Sequence, residues 1–450
     1  MTRAKLSSRA RGSRLRQFGA VAAVAAVVVL AGSATGAGAS ASATTSGAGP
    51  DLPRAVAYLV DPARLVSGHY YQGPAGPGFA DFSLTLDGAF ALASTGQDVG
   101  ALAAISQFLG SGGTDATGRS IDAWTGIGTP FASGASIAKQ ALLAEVMGAD
   151  PHGFGGHDLV AALAATVCTQ VSVGPDTSCP AVGTYRYSPS VFAQGLGIIA
   201  ALRAGSGAAA PVAYLEGHQH PDGSWPSLIP DSADADVDST AMAVMALSLV
   251  SGPRAASAVA RGLAWVATRQ ASDGGFVGAA GDSTNSAALA AQALHLAPAA
   301  YQTQLVHVRA FLARQQNPDG GFIVAVGGPA TSDLRASTQA VGGAVGTSFA
   351  VLVALARPPS TTPSPSPSPS VTVSGSVSAS ASATGGSATA TPRGSVDPSA
   401  SVSAAALAAA GNLPATGAPL GWSVSAGAVL VLAGLALLVA GRRPAASRRH

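Results

Sequence analysis

The 450-residue chain has a formal charge of +2 and is only 5 % aromatic, but these averages join unlike regions. Residues 51–357, the part of globular composition, hold 13 Lys and Arg against 21 Asp and Glu, a net charge of −8, which speaks against a basic face for nucleic acid. Roughly 300 residues is ample for one large core.

At the start of the chain, Arg3, Lys5, Arg9, Arg11, Arg14 and Arg16 precede an apolar run from Phe18 to Ala31. Ala37-Gly-Ala39 and Ala39-Ser-Ala41 follow as candidate cleavage sites. A charged start, an apolar core short for a bilayer span and an A-x-A site predict a secretory signal over 1–41. Residues 42–50 then form a short linker, and an uncleaved membrane anchor is the alternative. Cys168 and Cys179 are the only cysteines. In an exported chain the pair predicts a disulfide, closed by a flexible loop containing Gly174 and Pro175.

From Leu52 to Leu355, apolar spacing near 3.6 residues predicts alternating helices. One set covers about 52–66, 98–111, 157–170, 209–219, 255–270 and 302–316. The other covers about 82–95, 134–148, 190–204, 237–250, 283–296 and 337–355. The second set is rich in Ala, Gly, Ser and Thr and poor in charge, as in Ser286-Ala-Ala-Leu-Ala-Ala-Gln-Ala-Leu294, so it is expected to be buried all round. Six inner and six outer helices closing on themselves give an all-α fold, an α/α toroid (α6/α6 barrel), over residues 51–357.

A repeated segment fixes the phase of the second half. It stands at Gln219-His-Pro-Asp-Gly-Ser-Trp225, Gln270-Ala-Ser-Asp-Gly-Gly-Phe276 and Gln316-Asn-Pro-Asp-Gly-Gly-Phe322, with spacings of 51 and 46 residues between the aspartates. Such a period marks units that bury their apolar faces against one another. Each Asp-Gly is a turn tolerant of positive φ. Asp238, Asp282 and Ser337 stand at expected inner-helix starts and are read as N-caps. The units at 52–95, 98–148 and 157–204 rest on periodicity alone.

Residues 358–411 are Ser/Pro-rich, including Pro363-Ser-Pro-Ser-Pro-Ser-Pro369, and cannot form a core. They are expected to be a disordered stalk able to span on the order of 150 Å. In 412–450, Leu413-Pro414-Ala415-Thr416-Gly417 precedes an apolar segment at about 420–440 and then Arg442-Arg443. About 20 apolar residues suit a transmembrane helix, and the arginines hold its end in the cytoplasm. The arrangement resembles the sorting signal of Gram-positive cell-wall proteins. That resemblance implies a membrane-bound precursor, cut by a sortase between Thr416 and Gly417 and joined through Thr416 to peptidoglycan at the cell surface.

Arg261-Gly-Leu-Ala-Trp-Val266, Gln270 and Gly274-Gly-Phe276 resemble the Gln-Trp repeat of squalene and oxidosqualene cyclases, with Phe in place of Trp. The same helix pairs occur across the terpenoid cyclase and protein prenyltransferase α/α toroid superfamily, which includes the vertebrate cobalamin carriers. The cyclases use an Asp-x-Asp-Asp stretch whose middle carboxyl is the general acid. Asp236-Val-Asp-Ser-Thr240 matches it except at Ser239, so the resemblance implies Asp238 as the acid and Asp236 as its neighbour. Few aromatics are present to line a cation cavity. Zinc prenyltransferases use an Asp, a Cys and a His; with both cysteines expected in a disulfide, and His218 and His220 read as exposed, no metal is predicted. Asp231, Asp234, Asp236 and Asp238 could supply calcium ligands, but a solvated acidic loop is the simpler reading.

Asp238-Ser-Thr-Ala-Met-Ala243 also resembles the inner-helix segment of the cobalamin carriers. No cofactor is predicted, a cobalamin-like ligand being the one this resemblance suggests. The ring of inner-helix starts predicts a pocket lined by Asp238, Ser239, Thr240, Asp282, Thr284, Asn285, Thr338 and Gln339. The expected function is a wall-linked toroid that binds a small molecule or surface partner without catalysis. The alternative is a cyclase-like or glycan-acting enzyme using Asp238.

Overall fold

The computed structural model describes residues 49–230, 234–278 and 281–354. The expected signal, stalk and sorting segment, with Thr416 and the span at 420–440, lie outside the described residues. Among those described, no helix is long and apolar enough to cross a membrane.

Twelve helices alternate between two concentric sets. The outer set is α1 (Leu52–Val60), α3 (Val99–Gly110), α6 (Leu159–Ala165), α8 (Ala209–Gly217), α10 (Pro253–Thr268) and α12 (Gln302–Gln315). The inner set is α2 (Phe82–Thr95), α5 (Gly134–Val146), α7 (Val191–Arg203), α9 (Val237–Leu247), α11 (Thr284–Leu294) and α13 (Leu334–Val345), while the short α4 (Ile121–Thr125) lies between α3 and α5. Each inner helix packs on the next, and α13 packs back on α2, so the ring is closed. Every residue of α9 and of α11 is buried, as expected of helices without a charged face. α10 instead buries one stripe, which includes Ala258, Leu263, Trp265 and Val266. Two small antiparallel hairpins, β1 (Leu65–Val66) with β2 (Tyr70–Tyr71) and β3 (Val277–Gly278) with β4 (Gly281–Asp282), decorate this α/α toroid.

The expected inner-helix starts shift by one to four residues. Asp236 caps α9, its carboxylate accepting from Ser239 N at 2.8 Å, and Asp238 lies inside the first turn. Ser283, not Asp282, caps α11, and Asp333, not Ser337, caps α13 by accepting from Ala336 N at 2.7 Å. In each case the capping residue keeps extended backbone angles, which the sequence pattern alone does not reveal. α13 stops at Val345 rather than 355, because Gly346 adopts φ 81° and ends it. α6 stops at Ala165: Val167 bridges Tyr185, and Cys168 is joined to Cys179 in the expected disulfide.

The repeated segment is a joint between successive units. Its aspartates make a local turn, Asp222, Asp273 and Asp319 accepting from the backbone N–H of Ser224, Gly275 and Gly321 at 3.0, 2.8 and 3.0 Å. Its aromatics Trp225, Phe276 and Phe322 are fully buried. Its glutamines reach outward to the following outer helix. Gln219 Nε2 donates to Ala258 O, Gln270 Nε2 to Gln304 O, and Gln316 Nε2 to Asp51 O, all at 2.9 Å. The last of these closes the ring, and Gln316 Oε1 also accepts from Asp51 N at 2.7 Å.

The repeat glycines Gly223, Gly274 and Gly320 have φ of 98°, 89° and 94°. A Cβ on any of them would collide with the carbonyl oxygen of Arg261, His307 or Arg54, each three residues beyond the carbonyl held by the glutamine. Both the positive φ and the close approach require glycine. Gly320→Ala is therefore expected to destabilise the barrel by roughly 3 kcal/mol or more in denaturant unfolding. Gly68→Ala, at φ 75° with open space around it, is expected to cost only about 1–2 kcal/mol. Equal losses would show that the joint is not interlocked.

Candidate functional site

Aligning the inner helices by their first residues sorts the barrel interior into layers. The sixth residue of each is Asp87, Lys139, Leu196, Met242, Leu289 and Gln339, and all six line two adjoining cavities on the barrel axis. One turn nearer the amino end, on the same helix faces, stand Ser83, Ala135, Phe192, Asp238, Asn285 and Arg335. Toward the carboxyl end the lining turns apolar, with Phe90, Ala91, Leu352 and Phe349, relieved by Gln292. The interior is thus an apolar tube with a polar throat at the amino-terminal ends of its helices.

The throat is built around ion pairs. Lys139 Nζ meets Asp87 Oδ1 at 2.6 Å, and donates to Ser83 O at 2.9 Å and Ser83 Oγ at 3.0 Å. The Lys139 and Asp87 side chains are only 5 % and 11 % exposed. Arg335 reaches Asp81 at 3.0 Å and Asp87 at 3.5 Å. Burial lowers the pKa of Lys139, opposed by the charge of Asp87. Asp238, 2 % exposed, lies one turn above Met242. The amide oxygens of Asn285 and Gln339 have no hydrogen-bond partner among the described residues.

The residues expected to line the pocket separate into groups. Thr338 and Gln339 line the cavity, while Asp238 and Asn285 lie in the throat layer above it. Thr240 Oγ1 accepts from Trp225 N at 2.9 Å and Thr284 Oγ1 donates to Ile323 O at 2.6 Å, so both hydroxyls serve the joints. Ser239 is buried behind the Asp236 cap. Asp282 lies in the β3–β4 hairpin, where desolvation, then nearby Asp273, raises its pKa. His218 stacks on Tyr214 and its Nδ1 lies 2.7 Å from Tyr214 O; it is half-buried rather than exposed because the ring packs on the helix end. His220 is likewise half-buried, with Nδ1 3.1 Å from Ser224 Oγ inside the turn. Among the described residues no three His, Cys, Asp or Glu side chains gather as a metal site; Asp231 lies outside them.

Sequence reasoning missed Asp87, Lys139, Arg335 and Phe349. A charge at the sixth position of an otherwise apolar inner helix was the available signal for the first two. At the opposite end of the barrel, Arg203 meets Glu145 at 3.1 Å, both side chains being about nine-tenths buried. Desolvation dominates, raising the Glu145 pKa to about 7 despite Arg203.

Residues 199–323 and 243–345 match the family described as the prenyltransferase alpha-alpha toroid domain. No curated protein matches the chain. Among solved structures, the type II terpene cyclase MstE from Scytonema, in complex with geranylgeranyl dihydroxybenzoate, is 15 % identical over 67 % of this chain and 97 % of that one, with TM-score 0.48. A protein from Actinoplanes is 20 % identical over 67 % and 98 %, with TM-score 0.48. A glycosidase is 16 % identical over 67 % and 98 %, with TM-score 0.46. The family match agrees with the toroid fold and with the superfamily resemblance of the repeats.

The buried carboxyl gives a pH test. Its folded pKa lies above the ordinary 4.5, so folding favours the protonated form, and stability falls as pH rises from about 4.5 through 7. Thermal unfolding of the wild type is expected to show that decline, and Glu145→Gln to flatten it. An unchanged profile in the variant would remove Glu145 as its source.

Proposed function

We propose that the barrel is an acid–base enzyme whose reacting end is the polar throat, with Asp238 as proton donor. The observation that supports this reading is the array of Asp87 and Lys139 on the axial cavities with Asp81, Arg335, Asp238 and Asn285 beside or one turn above them, at the end of a lumen whose lining is otherwise largely apolar. Buried ion pairs are stabilised no better than packed apolar side chains, so their retention argues for use. With Asp81 and Asp87 in addition to Asp238 the throat holds three carboxylates, and paired carboxylates suit glycoside chemistry.

A glycan or other polyhydroxylated substrate fits the throat better than a polyene. The axial cavities measure about 30 and 10 Å³, room for a few waters and below what a sugar ring or a long hydrocarbon needs alike, so the preference rests on the chemistry of the throat rather than on its size. Hydroxyl groups find charged partners there and the open amide oxygens of Asn285 and Gln339. The same polar groups support a second reading, binding of a surface glycan without turnover. In either case we propose that the protein is exported and joined through Thr416 to peptidoglycan by a sortase.

Two measurements test this. Full-length protein incubated with purified cell-wall glycan is expected to release reducing ends, and Asp238→Asn to lower kcat/KM about 100-fold or more while helical content is kept. Full activity in that variant would remove Asp238 as the acid. If the wild type releases nothing but wall oligosaccharides raise its Tm, the binding reading stands instead. Mass spectrometry of wall-released protein is expected to find a chain ending at Thr416, and recovery of residues 417–450 on that fraction would overturn the wall linkage.

A further inference from the structure

The carboxyl end of the lumen is shut by the chain itself. After Gly346, residues 347–354 return across the ends of α5 and α7 without forming a helix. Phe349 enters the cavity and meets Phe90 edge-on, with ring centroids 5.6 Å apart. Leu352 lines the same cavity and is 2 % exposed, whereas its neighbours Val351 and Val353 are 61 % and 55 % exposed. Two hydrogen bonds tie the segment to other elements: Arg203 Nη1 donates to Phe349 O at 2.7 Å, and Ala354 N to Val146 O at 2.7 Å.

The apolar side chains Phe349, Ala350 and Leu352, buried Ser348 and two inter-element bonds are a light fastening beside the hydrogen-bond ladders of the inner helices. Beneath the segment, Phe90, Phe192, Leu196, Met242 and Leu289 offer an apolar wall. Onward from residue 354, the chain runs into the Ser/Pro-rich stretch at 358–411, so force applied through that stretch reaches Ala354 first.

We propose that residues 347–354 are a self-inhibitory plug, and that its withdrawal admits a neutral aromatic or aliphatic molecule to the space of Phe349. The inference does not rest on the chemistry of Asp238, although Phe349 reaches far enough to share a cavity with Asp87 and Lys139. Displacement is local: the ring joints lie on other elements and stay made. The plug's fastening at Arg203 makes that residue the latch.

Hydrogen exchange and probe binding on the full-length protein test this. The amides of Val351 and Ala354 are expected to exchange at least tenfold faster than those inside α9 and α11. Exchange as slow as in those helices would overturn the proposal, because the segment would then open only with the barrel. With the neutral fluorophore N-phenyl-1-naphthylamine, Arg203→Gln keeps Phe349 but frees its carbonyl, and is expected to raise affinity at least fivefold. Val351→Ala, at an exposed position of the same segment, is expected to leave it unchanged. A folded Arg203→Gln protein with wild-type affinity, or an equal gain in Val351→Ala, would overturn the proposal; should Arg203→Gln fail to fold, the exchange measurement decides alone.

Discussion

Everything in this barrel depends on closure, and closure depends on an amide side chain reading a neighbour's backbone. A ring of helix pairs gains no stability from an open edge, because the first and last inner helices would each leave an apolar face in water. Packing of α13 on α2 covers that edge, and Gln316 fastens it by holding both the N–H and the carbonyl of Asp51, across 265 residues of chain. The preceding glutamines hold their neighbours by the same reach, so the long-range contact is one instance of a local rule. With the ring closed, the six inner helices have nowhere to put a side chain at their sixth position except the axis.

The fold was legible because its joints are written in the chain. Gln-x-x-Asp-Gly followed by an aromatic specifies clamp, turn, close approach and anchor within seven residues, and the helices between them carry plain periodicity. The first half was less legible because it makes the same contacts with other residues. Tyr71 N donates to Thr85 Oγ1 at 3.0 Å, as Trp225 N does to Thr240, and Tyr71 OH reaches Leu59 O as Trp225 Nε1 reaches Leu215 O. The expected 337–355 helix failed for a different reason: Phe349 and Leu352 have helical spacing, but a single left-handed glycine turns that apolar run into the barrel.

The site was half legible. Reading each inner-helix start as a lining position put Thr338 and Gln339 on the cavity and Asp238 and Asn285 in the layer above it, but it also gathered Thr240 and Thr284, whose hydroxyls serve the joints. Helical pitch separates the two classes: residues at the second and sixth positions share the axial face, while the fourth position of α9 faces the joint. The ionic core of the throat escaped notice because Asp81, Asp87, Lys139 and Arg335 come from three helices, up to 254 residues apart. Only closure makes α13 and α2 neighbours, so Arg335 meets Asp81 and Asp87 solely in the finished ring. The throat is therefore complete only in the closed ring and reports on the integrity of the whole circle.

The equivalence of the three glutamine joints carries a topological consequence. Gln219, Gln270 and Gln316 each hold a carbonyl three residues short of the one pressed by the following glycine, whether or not the chain is continuous across that joint in sequence order. The physical ring has no first unit. Where the polypeptide begins is bookkeeping imposed by the gene, and a circularly permuted order of the same six helix pairs keeps every unit beside its present neighbours.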